Sequence, residues 1–342
     1  MMTEEEIISI RNASIGYRQK ASIQKMVAEG ISLHALKGEL VALIGGNGVG
    51  KSTLLRTIAG SQPVIKGEIF VKGTAIHSYK EKELALIMSF VSTEIIRVSN
   101  LTVFDLISLG RYPHTNWSGK LTDEDQQIVE EAIEMVGLRG YENKMVNFIS
   151  DGERQKTMIA RTLAQDTDII VLDEPTAFLD LSNKYEIVHI LHRLANEKGK
   201  TILFSTHDLT TAIAESDRVW LMLESSVEEG SPEDLILNGS FSTLFHNDHL
   251  YFDQDKGDFR IKKKVKRKAI VTGEGIALNW TIKAMERIGF EVIEKKDDHL
   301  DVIAVEIAIS YPLWSVRHNN SETKFDSIFS LCRYIKNDVL IR

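Results

Sequence analysis

Residues 40–59 read LVALIGGNGVGKSTLLRTIA. The first five form an apolar run too short for a helix. A Gly-rich turn follows, the pattern of a strand buried on both faces. From Ser52 onward the spacing turns helical. Between strand and helix, Gly45, Gly46, Asn47, Gly48, Val49, Gly50, Lys51 and Ser52 fit G-x-x-x-x-G-K-[ST] in the strand–loop–helix context that this motif needs. Its glycines let backbone N–H groups curl around phosphate oxygens, and the helix start adds its dipole. Lys51 supplies a point charge for the β- and γ-phosphates, and the Ser52 hydroxyl is suited to Mg²⁺. Thr53 follows in the first turn and completes the expected nucleotide-binding set.

Working outward, residues 168–176 read DIIVLDEPT. An apolar strand ending in a carboxylate suits a residue that meets Mg²⁺ directly or through a bound water beside the phosphate loop, which assigns Asp173. Glu174 is the next carboxylate, placed to polarise an attacking water. A third apolar run, 201–205 (TILFS), leads into Thr206-His207-Asp208. Apolar runs separated by helical patterns predict an α/β fold with a mostly parallel sheet. One such helix is predicted over 124–136, where Ile128, Val129, Ala132, Ile133 and Val136 share a face and Gly137 marks the stop.

Between the phosphate loop and the acidic strand lies ISDGERQ, residues 149–155. It resembles the L-S-G-G-x-Q signature of ABC-type ATPases, and the motif order agrees over residues 7 to about 245. The resemblance implies a P-loop nucleotide-binding domain (1–250) with a helical subdomain near 94–165. It also implies a head-to-tail homodimer in which each ATP lies between one phosphate loop and the partner's signature. Ser150, Asp151, Gly152 and Glu153 would then act in trans, and Asp180 would lie in the loop where the subunits meet. His207 resembles the histidine that holds the γ-phosphate and orients Glu174. Tyr17 resembles the aromatic that stacks on adenine. The implied activity is Mg²⁺-dependent ATP hydrolysis, with Lys51, Glu174 and His207 as the catalytic set.

Two positions depart from the family pattern. Ser92 and Thr93 stand where Pro-Gln is usual, which puts Thr93 or Glu94 at the Mg²⁺ and water. Asp151 replaces a glycine and sets a carboxylate near a polyphosphate, with Arg154 one turn on as a partner. Residues 109–114 (LGRYPH), with Trp117 and Gly119, resemble ATPases of importers for iron–siderophore, haem or vitamin B12. That resemblance implies a separate membrane permease, an external substrate-binding protein, and a peripheral place on the cytoplasmic face of the inner membrane. Two other readings are a ribosome- or DNA-acting ATPase of the same family and a weakly hydrolysing regulatory subunit. One phosphate loop, no heptad run and an acidic body oppose the nucleic-acid reading.

Composition agrees. The 342 residues are 43% apolar and 26% charged, ordinary for a globular chain, with a single cysteine that rules out an internal disulfide. No apolar run reaches the roughly 18 residues of a membrane span, and the acidic start lacks a signal-peptide layout. Residues 1–250 carry 24 Lys and Arg against 35 Asp and Glu, a net of −11; residues 251–342 carry 17 against 14, a net of +3. The change falls near RIKKKVKRK, residues 260–268, a candidate for an anionic membrane surface. Residues 251–342 are expected to form a small α/β domain. Its predicted core is one helix face of Ile276, Trp280, Ala284 and Ile288, and another of Phe325, Ile328, Phe329, Cys332 and Ile335. Strands are predicted at 269–271, 290–293 and 300–307.

Overall fold

A computed structural model describes residues 5–19, 23–92, 100–115, 119–224, 226–245, 249–262, 267–293, 303–307, 313–318 and 321–339. The chain folds as two compact units, residues 1–247 with 251–260, and residues 248–250 with 261–342.

The first unit pairs an antiparallel sheet with a mostly parallel one. The antiparallel sheet has the order β2-β1-β4-β5, from β1 (Glu6–Gln19), β2 (Ile23–Leu36), β4 (Lys66–Val71) and β5 (Thr74–Ala75). The second has the order β10-β9-β3-β8-β7-β6. It is built from β3 (Leu40–Gly45), β6 (Met88–Val91), β7 (Ile169–Leu172), β8 (Thr201–Thr206), β9 (Arg218–Met222) and β10 (Val227–Gly230). Only the β9–β10 pair of this sheet runs antiparallel. Every residue of β3 is buried, as its unbroken apolar run predicts. Its alternate residues serve two cores. Leu40, Ala42 and Ile44 join the helical side, while Val41 and Leu43 join Leu54, Leu55 and Ile58 of α1 (Lys51–Ile58) and the antiparallel sheet. β3 is thereby gripped on both faces, and the loop at its carboxyl end starts from a rigid base.

The helical side holds α3 (Val103–Ser108), α4 (Asp123–Met135) and α5 (Asp151–Ala164), beyond the short α2 (Glu81–Ala85). Thr122 caps α4 reciprocally with Asp125, and Gly137 follows its end at φ 72°. α6 (Leu181–Lys198), α7 (Leu209–Glu215) and α8 (Pro232–Leu237) complete this unit's α-helices among the described residues. The hairpin of β11 (Leu250–Asp253) and β12 (Asp258–Ile261) straddles the expected 250/251 boundary. Its Phe252 is buried with the first unit's core and stacks on Phe241.

The LGRYPH stretch is a structural clamp. Arg111 is buried, donates to Asp125 at 2.8 Å and to the Ala164 carbonyl at 2.8 Å, and so ties α4 to the end of α5. Gly110 leaves no room for a side chain, because a Cβ there would lie 2.2 Å from the Arg161 carbonyl oxygen. His114 reaches the Gln165 carbonyl at 2.9 Å. The Thr122 amide, helped by Arg111 and the Thr122 hydroxyl, holds the Asp125 carboxyl at about 2 against the opposing effect of burial. Arg111→Met removes the counter-charge of that carboxylate and leaves it only the Thr122 donors; breaking a buried pair costs up to about 3–5 kcal/mol. The expected result is a lower urea midpoint at pH 7. Because the folded pKa lies below the unfolded one, the stabilisation is present above about pH 4 and lost as pH falls toward 2. The gap between Arg111→Met and wild type is therefore expected to narrow over that window.

The second unit is a five-stranded sheet of order β14-β13-β15-β16-β17. Its strands are β13 (Arg267–Thr272), β14 (Phe290–Val292), β15 (Ile303–Ile307), β16 (Trp314–His318) and β17 (Ser321–Phe325), with α9 (Gly275–Arg287) and α10 (Ile328–Tyr334). Residues 300–302 of one expected strand lie outside the described residues. Two expected core faces need correction. Ile276 and Trp280 are 78% and 57% exposed; Thr281, Ala284, Met285 and Ile288 form the buried face. Recurrence every four residues drifts about 40° per step around a 3.6-residue helix. A stripe that ends on the core at Ile288 therefore begins well off it at Ile276. Phe329 is also exposed, at 74%; the expected Cys332 and Ile335 are buried, Leu331 joins them, and Phe325, at the end of β17, and Ile328 pack against them partly buried.

Candidate active site

The turn between β3 and α1 is shaped by Gly50. It N-caps α1 at φ 120°, and a Cβ there would lie 2.3 Å from Val27 Cγ1. No side chain caps this helix, so its first-turn amides face the loop without a side-chain acceptor. Lys51 is buried, and its ammonium donates to the carbonyls of Gly45 at 3.0 Å and Gly46 at 3.1 Å. Burial pulls its pKa below the ordinary lysine value, while the charges of Glu174 and Asp173 oppose that shift. The loop, Tyr17, the β2 residues Lys25, Met26 and Val27, Glu174 and His207 line a cavity of about 400 Å³.

Asp173 and Glu174 leave β7 in different directions. Asp173 is buried; its Oδ1 accepts from Ser205 Oγ at 2.8 Å, and its Oδ2 has no hydrogen-bond partner. Glu174 is held at φ 48°, a costly backbone state for a residue with a Cβ. Its amide donates to the same Ser205 Oγ at 2.8 Å, so one hydroxyl on β8 fastens both acidic residues. His207 Nε2 lies 2.5 Å from Glu174 Oε1 and 3.5 Å from Lys51 Nζ. Lys51, Glu174 and His207 are thus brought together at one wall of the cavity. Tyr17 sits at the cavity, exposed, with its hydroxyl hydrogen-bonded to Thr53 Oγ1 at 2.9 Å.

A cation fits the acidic residue beside the loop. A buried carboxylate oxygen lacking any partner is costly unless something charged meets it. Asp173 and the Ser52 hydroxyl are the donor set that hard cations such as Mg²⁺ prefer. Thr93 and Glu94, the other expected contributors, lie outside the described residues.

None of the signature residues lines this cavity. Ser150 N-caps α5: its amide donates to Glu153 at 2.7 Å and its hydroxyl accepts from the Glu153 amide at 3.2 Å. Hydrogen bonds from Tyr141 and then the Ser150 amide lower the Glu153 carboxyl pKa. Asp151 turns to Arg154, 2.7 Å away, the partner expected from helical spacing. Gly152 is buried against Asn183, and a Cβ would lie 2.6 Å from that side chain. Asn183 in turn donates to Asp180, which N-caps α6. Asp180 thus braces the start of α6 while Phe178 and Leu181 beside it are 93% and 68% exposed. In the sequence Ser205 is only the end of a strand; its bridging hydroxyl becomes visible when β7 and β8 pair.

A glycine-lined phosphate cradle at a strand–helix turn, flanked by an acidic strand end and a histidine, defines a P-loop nucleotide-binding cassette. Residues 28–177 match the family described as ABC transporter, and residues 266–336 match the iron ABC transporter C-terminal domain. The petrobactin import ATP-binding protein of Bacillus anthracis is 35% identical over 263 residues, spanning 77% of this chain and 95% of that one. The iron(3+)-hydroxamate import ATP-binding protein of Bacillus subtilis is 35% identical over 242 residues, 70% of this chain and 88% of that one. Among solved structures, a dimeric post-hydrolysis ATP-binding cassette bound to ADP and Pi superimposes with a TM-score of 0.58 at 26% identity, covering 66% of this chain and 98% of that one. The chain belongs to the ABC transporter ATP-binding family and is an ATPase of that type. Among the described residues no helix is long and apolar enough to cross a membrane.

Proposed function

We propose that this chain is the ATP-hydrolysing subunit of a metal-chelate importer, working as a homodimer beneath a separate membrane permease and carrying iron–siderophore complexes. The observation that carries the reading is the convergence of Lys51, His207 and Glu174 on the glycine loop, beside the orphaned oxygen of Asp173. Import of iron chelates is supported by the names of the two relatives and by the match of residues 266–336 to an iron-transporter domain. A peripheral place on the cytoplasmic face of the membrane follows from that partnership. In this reading the loop and Lys51 bind the ATP phosphates, and Tyr17 contacts the adenine. Ser52 and Asp173 would hold Mg²⁺, which would supply positive charge against the phosphates. Glu174 takes the proton of the attacking water while His207 fixes its carboxylate.

That Ser150 and Gly152 do not line the cavity within one chain supports a site completed by a second subunit. Ser150→Asp keeps the helix cap but places a carboxylate against the incoming phosphate. Lys51→Ala disables the cradle. Each variant alone is expected to be inactive, and mixing them under subunit exchange restores one competent site per heterodimer, measured as phosphate release. No recovery in mixtures that demonstrably exchange subunits would reject the shared site.

A further inference from the structure

The segment that carries His207 is fastened by a residue from another helix. Asp208 follows His207 and N-caps α7: it accepts from the Thr211 amide at 3.2 Å and from the Thr211 hydroxyl at 2.7 Å. Its own amide donates to Thr206 Oγ1 at 3.0 Å. The carboxylate oxygen that takes the Thr211 hydroxyl also forms an ion pair with Lys184. Lys184 is the fourth residue of α6, and its amide donates to the Asp180 carbonyl at 3.0 Å. Lys184 therefore reaches from the first turn of α6, whose cap is Asp180, to the residue next to His207.

Both members of the pair are only 22% exposed at the side chain, so the contact is less screened than a surface bridge. The contact it supports is tight. His207 Nε2 must stay 2.5 Å from Glu174 and within reach of Lys51. Displacement of a reacting constellation by about 1 Å can cost roughly 100-fold in rate. Without the ammonium, Asp208 keeps only its helix-cap donors, which fix it to α7 but not to α6.

We propose that Lys184 is a positioning residue for ATP hydrolysis. Through Asp208 it holds His207 against Glu174, and it couples that contact to the turn capped by Asp180. The inference rests on reading Glu174 and His207 as the hydrolytic pair. Lys184 touches no reacting atom, so its effect belongs in turnover rather than in nucleotide binding.

The test uses the whole 342-residue chain. Lys184→Met keeps the aliphatic stem and removes the charge. It is expected to lower kcat roughly tenfold and to change KM for ATP by less than about twofold. Lys184→Arg, which keeps the charge, is expected to retain most of the rate. In a His207→Ala background, Lys184→Met is expected to cause no further loss of the residual rate, because the residue it positions is gone. Lys184→Gln provides a second uncharged variant if Met disturbs packing. Wild-type turnover in Lys184→Met and Lys184→Gln beside a crippled His207→Ala refutes the positioning role alone. So does a loss that persists in full on His207→Ala. Wild-type turnover in His207→Ala and Glu174→Gln refutes the assignment of the pair, and the positioning role with it.

Discussion

Glu174→Gln is expected to cut steady-state ATP hydrolysis by roughly 10²–10⁴-fold, the range for loss of a general base, while ATP affinity stays within a few-fold of wild type. The amide is nearly isosteric and retains hydrogen-bonding capacity toward His207, 2.5 Å from the native carboxylate. It cannot take a proton from water. The backbone that aims the side chain is unaffected, since its amide is anchored on Ser205 and its carbonyl accepts from Ala177 at 3.1 Å. Binding rests on the loop and Lys51, so the variant is expected to accumulate ATP-bound protein. Phosphate release and nucleotide titration separate the two effects. Hydrolysis at the wild-type rate would show that another group activates the water.

Lys51→Ala is expected to act earlier, on binding itself. The ammonium is buried, fixed by two loop carbonyls, and stands beside Glu174 and Asp173, whose charges favour its protonated form. Its removal takes away a charge-assisted hydrogen bond to phosphate, about 1.5–3 kcal/mol, and leaves two carboxylates facing a polyanion. An ATP affinity at least about 10-fold to 100-fold weaker follows from that energy, with turnover lost as well. Calorimetric titration measures it, and an unchanged Kd would mean that the phosphates are held elsewhere.

Much of the nucleotide cavity is legible in the sequence because its chemistry runs in contiguous stretches. A glycine loop between a strand and a helix, or a carboxylate pair at a strand end, carries its context in its neighbours. Contacts between distant strands and helices are not legible. Ser205 fastens Asp173 and Glu174 only because β7 and β8 pair in register, and Lys184 meets Asp208 across 24 positions. As sequence, the LGRYPH stretch marks a transporter class. In the fold it is a clamp built on Gly110 and Arg111, a packing role that spacing does not disclose.

In the second unit, the apolar residues are visible in the sequence but their orientation is not. Counting every fourth residue places the α9 stripe, and that count rotates Ile276 and Trp280 away from the core. The β16–β17 hairpin has no counterpart among the strands expected from the sequence. Its strands mix Ser, Arg, His, Glu, Thr and Lys with few apolar positions, so local pattern gives little sign of a strand.

The most direct test of the transport reading is uptake of ⁵⁵Fe-labelled ferric siderophore by cells that lack the native gene and express either this chain or its Glu174→Gln variant at equal levels. Accumulation is expected with the wild-type chain and none above background with Glu174→Gln. Equal accumulation by both, or by neither while unrelated iron uptake persists, would contradict that reading.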